Sequence, residues 1–161
     1  MITTEQWRAR ETVHPPTWWY RLLSRWFPNR CREIPEATDP SGKQVLLRQF
    51  AIVKKYVYLQ QFASSEHPLF YHRHGWRWIF VFVLWGSYFE RRLGGWKTTY
   101  RGSAGPEFYV MNQNVVHQVH NPSPGHTSIA IGLFRDGERV YFEEPTPIQW
   151  RDHVRVRVKE L

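Results

Sequence analysis

One cysteine in 161 residues, Cys31, is too few for an intramolecular disulfide or a cysteine-built zinc ribbon. Nothing in the composition therefore calls for an oxidising compartment. Long apolar runs are missing too: the longest, Trp78 to Trp85, has the length of a strand and not of a membrane span. No apolar segment ahead of a cleavage site follows Met1, and the chain reads as cytoplasmic. A phosphate-cradling glycine loop, a G-x-S-x-G elbow and an H-E-x-x-H helix are also absent. Cys31 has no neighbour in sequence that marks it as a nucleophile.

Acidic residues are few beside basic ones. Twenty-two Lys and Arg against 14 Asp and Glu give a net charge of +8 and a pI near 9.9. That balance favours polyanions such as nucleic acid, or phosphorylated small molecules. A merely basic surface gives the same count, and the cations are scattered along the chain instead of clustered in one run.

What the chain does have is apolar and aromatic. At 42% apolar residues it can bury one good core, and 17% aromatics, with nine Trp, exceed what a core needs. Short β-branched and aromatic runs broken by Gly, Pro, Asn and Ser predict an all-β sandwich or barrel. The expected strands are 45–50, 55–62, 69–74, 77–85, 87–92, 96–101, 107–110, 114–120, 127–134 and 138–143. Residues 1–44 form a separate N-terminal segment and linker, ahead of a β domain over 45–161. In that segment Thr17 can cap a short helix that Pro28 ends. Its apolar stripe is Trp18, Trp19, Leu22, Leu23, Trp26 and Phe27, with Arg21, Ser24 and Arg25 opposite. Such a helix suits a membrane surface, but packing across the mouth or outer face of its own barrel, or against a second subunit, is favoured.

The chemistry sits in His72-Arg73-His74. On a strand, residues i and i+2 point to one face, so both imidazoles can converge on a single point. His117, on a later strand-like stretch, supplies a third. The competing reading is a set of core histidines bonded to backbone. His120, three residues beyond His117, turns to the opposite face of an unbroken strand. His14, His67, His126 and His153 are expected in solvent.

Three stretches together resemble the first cupin motif: Tyr58-Leu59-Gln60-Gln61-Phe62, then His72-Arg73-His74-Gly75-Trp76, then Phe82 to Glu90 through Trp85-Gly86-Ser87-Tyr88. The likeness is to small cupin-like proteins of bacteria and their phages, with the second motif falling around Tyr109 to Asn121. It implies a cupin-type double-stranded β-helix, a jelly-roll barrel, and a homodimer is compatible with it. It also implies a divalent metal held by His72, His74 and His117. Cupins usually add a carboxylate four or five residues after the second histidine, where this chain has Trp78 and Ile79. The remaining neutral triad is similar to that of cupin thiol dioxygenases, which makes iron the first candidate, ahead of zinc, nickel and copper. Glu90 is a poor fourth ligand, because it lies beyond the Gly86 turn.

Around such a centre the expected substrate-binding residues are Arg77, Trp76, Trp78, Tyr58 and Tyr88, with Phe80 and Phe82 on the same wall and Tyr71 and Tyr109 offering hydroxyls. Gln60, Gln61, Asn112, Gln113 and Asn114 are candidates to orient the histidines. Two functions fit. One is a metal-dependent enzyme, oxygenase-type chemistry being favoured, acting on a small-molecule or nucleotide-like ligand. The other is a non-catalytic module that binds nucleic acid or a host protein through a basic, Trp-rich surface.

Overall fold

Apolar residues recurring at every second position put most of this chain into strands. The computed structural model describes residues 12–35, 44–66, 70–92, 98–102, 104–135, 140–143 and 155–156. One helix, α1 (Trp18–Trp26), and a 3-10 turn (Pro28–Arg30) come first. The strands follow as β1 (Cys31–Pro35), β2 (Val45–Val53), β3 (Val57–Phe62), β4 (Phe70–Arg73), β5 (Trp76–Trp85) and β6 (Tyr88–Arg92). Then come β7 (Thr98–Arg101), β8 (Glu107–Asn112), β9 (His117–His120), β10 (Thr127–Arg135), β11 (Val140–Glu143) and β12 (Arg155–Val156).

These strands build two six-stranded antiparallel sheets. The first runs β1-β2-β3-β10-β5-β8 and the second β12-β11-β4-β9-β6-β7. The all-β expectation holds at this level. Between the sheets, Ile79, Val81 and Val83 of β5 and Met111 and Tyr109 of β8 meet Tyr88 of β6 and Val119 of β9. Leu46, Leu47 and Phe62 extend the same cluster. Full burial stabilises each such side chain by about 1.5–3 kcal/mol.

Gly86 makes the turn from β5 to β6 at φ +73°. A Cβ there would lie 2.5 Å from Ser123 Oγ and 2.8 Å from His126 Cα, so glycine's lack of a side chain is what lets the 123–126 loop close on it.

The N-terminal segment lies on the outer side of the first sheet, one of the placements favoured above. Trp19 Nε1 donates to Thr127 Oγ1 at 3.0 Å, and Arg48 Nη1 donates to His14 O at 2.8 Å. Gln61 Nε2 donates to Pro15 O at 2.9 Å, while its Oε1 accepts the Thr17 N–H at 3.0 Å. The expected stripe is split, however. Trp19 and Tyr20 are buried, whereas Trp18, Leu22 and Trp26, one helical turn apart, stay exposed. Thr17 occupies the cap position, but its hydroxyl makes no capping bond. The boundary at residue 44 also shifts: β1 already pairs with β2, so strand structure begins at Cys31. No helix among the described residues is long and apolar enough to cross a membrane.

Candidate metal centre

β4 and β9 are neighbours in the second sheet, and His72 stands directly opposite His117. Cross-strand partners project to the same side. His74 follows one residue after β4 ends, and its ring turns back onto the pair. His74 Nε2 lies 3.3 Å from His72 Nε2 and 3.0 Å from His117 Nε2. The three potential donor atoms all lie within 4.8 Å of one another. Nitrogens bound about 2.1 Å from one ion sit roughly 3.0–3.4 Å apart for angles between octahedral and tetrahedral. The His74–His72 and His74–His117 spacings both match that range. His72 and His117 are buried and His74 is partly so.

The other ring nitrogens face carboxylates. Glu66 Oε1 is 2.6 Å from His72 Nδ1, and Glu90 Oε1 is 3.7 Å from His117 Nδ1. Glu66 is itself held in place: its Oε2 accepts the Val119 N–H at 2.7 Å, and its backbone N–H donates to Val119 O at 2.9 Å. Glu90 has no solvent exposure, and Arg92 Nε and Arg101 Nε each donate to it at 2.7 Å. Burial raises the Glu90 pKa, but His117 and the two arginines outweigh it and hold the group below the ordinary carboxylate range. The carboxylate on His72 Nδ1 places that ring's proton there and leaves its Nε2 as a lone pair; Glu90, at 3.7 Å, biases His117 the same way through its charge alone. Lone pairs of His72 and His117 thus face the same small space as His74 Nε2. A His74 Nε2–H can donate to one of them at hydrogen-bond distance, while a bound cation would take up all three nitrogens.

Beyond Glu90 the polar network continues. Arg101 Nη1 donates to Glu107 Oε1 at 2.6 Å, Glu107 Oε2 accepts the Gly102 N–H at 2.7 Å, and the Arg101 guanidinium lies 4.1 Å over the Tyr109 ring. The Tyr109 and Tyr88 hydroxyls are hydrogen-bonded to each other. Burial, with help from its neighbours, pushes both phenols above their ordinary range, so each stays protonated.

The structure thus brings His72, His74 and His117 together and rearranges what surrounds them. Glu90, expected to be a poor ligand, lies on the Nδ1 side of His117, away from the converging Nε2 atoms. The orienting groups are Glu66 and Glu90 instead of the amides expected. Gln61 holds the N-terminal segment, Gln60 accepts from Gln49 at 3.2 Å, and Asn112 Oδ1 accepts the Asn114 N–H at 3.0 Å. One signal was available: between Asp39 and Glu107, Glu66 and Glu90 are the only acidic residues in the sequence.

The expected aromatic wall does not face the histidines. Trp78, Phe80 and Phe82 project from the opposite side of β5 to the inward Ile79, Val81 and Val83. The reason is that β4 and β5 belong to different sheets, so the alternation set by His72 and His74 does not carry across Gly75. Trp76 packs at the edge of the core, Arg77 is exposed, and Tyr58 lies under the Arg32 guanidinium at 5.1 Å. Tyr88 is buried in the core with its hydroxyl on Tyr109. His120 bonds Gln118 on the face opposite His117, as alternation requires. His126, expected in solvent, is fully buried, and its Nδ1 accepts the Phe62 N–H at 3.2 Å. Its pKa is pushed down to about 3 by burial. His14 is half-buried with its ring on Pro122 O, while His67 and His153 lie outside the described residues.

No family model matches this chain, and no curated protein matches it either.

Proposed function

We propose that this chain is a cupin-type metalloprotein whose His72, His74 and His117 hold one divalent transition-metal ion, and that it is an enzyme of oxygenase type. The observation that carries the reading is the pair of buried carboxylates, Glu66 and Glu90, on the Nδ1 sides of two histidines whose Nε2 atoms converge. A core cluster of histidines has no need of such an arrangement, whereas neutral imidazole ligands are oriented in this way. Three nitrogen ligands with no carboxylate suit ferrous iron first, with zinc, nickel or copper as alternatives. When bound, iron with open positions supplies dioxygen chemistry, and zinc would supply Lewis acidity.

The chain's own groups define the rest. Glu66 fixes the His72 ring and, through the Val119 N–H, ties β9 to the segment ahead of β4. Glu90 keeps a negative charge beside His117, itself compensated by Arg92 and Arg101. A small organic molecule is the substrate class proposed. The test is dioxygen uptake by the iron-loaded chain with a panel of small thiols, phenols and nucleotides. Uptake that needs iron and is lost in His74→Ala supports the enzyme; a metal-loaded chain inert to all of them removes the oxygenase.

A second reading has one observation behind it. Trp18 and Trp26 of α1 are strongly exposed beside Arg25 and Arg30, a surface that could stack bases and neutralise phosphates. Binding to single-stranded nucleic acid that weakens steeply with salt, and is lost in Trp18→Ala with Trp26→Ala, would favour it.

A further inference from the structure

An antiparallel sheet with one face in water normally alternates apolar inward with polar outward. β5 does not. Ile79, Val81 and Val83 fill the core, yet Trp78, Phe80 and Phe82 on its other side are also apolar. Apolar residues on both sides are the mark of a strand covered on both sides.

The neighbouring strands continue the pattern. One straight row across β3, β10, β5 and β8 reads Leu59, Ile129, Phe82, Phe108. The next row reads Val57, Ile131, Phe80, Val110. Phe82 and Phe108 are in ring contact at 4.6 Å, but Trp78 remains 42% exposed, Phe82 38% and Phe108 53%. The same outer face looks different where the chain covers itself. There the side chains are Arg48, Gln61 and Thr127, and each is hydrogen-bonded to the N-terminal segment. The covered part is hydrogen-bonded through its polar groups and has its apolar Phe50 under Phe27, whereas the bare part is apolar and without cover among the described residues.

We propose that the bare outer face of the first sheet is the contact surface for a second copy of this chain, packed face to face in a two-fold dimer. Charge selects this occupant. The chain carries +8, yet neither row holds a charged side chain, so an identical uncharged face is complementary to it where a nucleic acid or an acidic peptide would find no cation. Area agrees. At about 150–250 Å² per aromatic side chain, the exposed parts of Trp78, Phe82 and Phe108 amount to roughly 200–330 Å². With the exposed parts of Val110 and Leu133, the face has the size of a small interface, below ~600 Å² per partner, so a weak dimer in the micromolar range is the form expected. Sheets stack at about 10 Å with aligned strands, and a two-fold axis lets each face meet its own copy. This inference does not depend on the metal centre.

The test is the molar mass of the full chain by sedimentation equilibrium between ~1 and ~100 µM, beside Phe82→Asp with Phe108→Asp. The expected mass approaches twice the 19.5 kDa of one chain at the higher concentrations, and the double variant returns to one chain with its circular dichroism unchanged, a loss of at least about 100-fold in association. A milder variant, Val110→Lys, guards against misfolding and weakens association in the same direction. A wild type that stays monomeric over the whole range overturns the proposal. So does a folded double variant that remains dimeric, and so does a monomer that pellets with phosphatidylcholine vesicles, which would give the face to lipid.

Discussion

Inside the sandwich, where a small β protein ordinarily keeps aliphatic side chains, this one holds three histidines, two carboxylates and an arginine pair. Outside the first sheet, where polar side chains belong, it holds rows of Phe, Ile, Leu and Val. Both regions invert the rule of apolar in and polar out, and each inversion is costly alone. An unpaired buried charge costs several kcal/mol, and a bare apolar patch invites association. The interior region offsets its cost internally, through Glu66 on His72 and through Arg92 and Arg101 on Glu90. The exterior region has nothing of the kind among the described residues, which is why its partner is sought in another molecule.

The contrast can be broken from either side. The largest effect is expected from His117→Ala, which removes one of the three proposed ligands and should abolish stoichiometric metal binding while leaving self-association intact. Phe82→Asp with Phe108→Asp should do the reverse, so a change that disturbs both properties would mean the regions are not independent. Next in size is an inward aliphatic: Ile79→Ala should cost about 2–5 kcal/mol in urea unfolding. Glu66→Gln keeps an oxygen for the Val119 N–H but removes the charge beside His72, and should weaken metal affinity about 10- to 100-fold in a competition titration.

A smaller effect is set by pH. His126 is held neutral by burial, with a folded pKa near 3 against an ordinary value of 6.5. Below pH 6.5 the unfolded chain takes up a proton that the folded chain refuses, so stability falls as pH drops from about 6.5 towards 3. Its slope from this group approaches about 1.4 kcal/mol per pH unit. Unfolding of His126→Phe should show a shallower dependence between pH 6 and 4. The smallest change expected is for Val110→Thr on the outer face, within about 0.5 kcal/mol for the dissociated chain.

Much of this was legible in the sequence. Ten strands and the helix fall where period and punctuation put them, because the runs are short, β-branched or aromatic, and bounded by Gly, Pro or Asn. The three histidines were legible for a similar reason, since His-x-His fixes relative direction over two residues. Direction could not be carried further. The chain passes from one sheet to the other at Gly75, and β5 is apolar on both sides, so nothing in its pattern says which side faces in. Glu66 and Glu90 were missed because their role depends on strand pairing, which brings Val119 opposite Glu90 and beside Glu66. β1 was missed because Cys31-Arg32-Glu33-Ile34-Pro35 is a polar edge strand with little periodicity of its own.

The most direct test of the metal centre is elemental analysis of the chain, made without a histidine tag and loaded separately with iron, zinc, nickel and copper, beside His72→Ala with His117→Ala. The geometry predicts one ion per wild-type chain for at least one of these metals, and none in the double variant. Wild-type protein that retains no metal from any of the four, or a double variant that binds as much as the wild type, would contradict it.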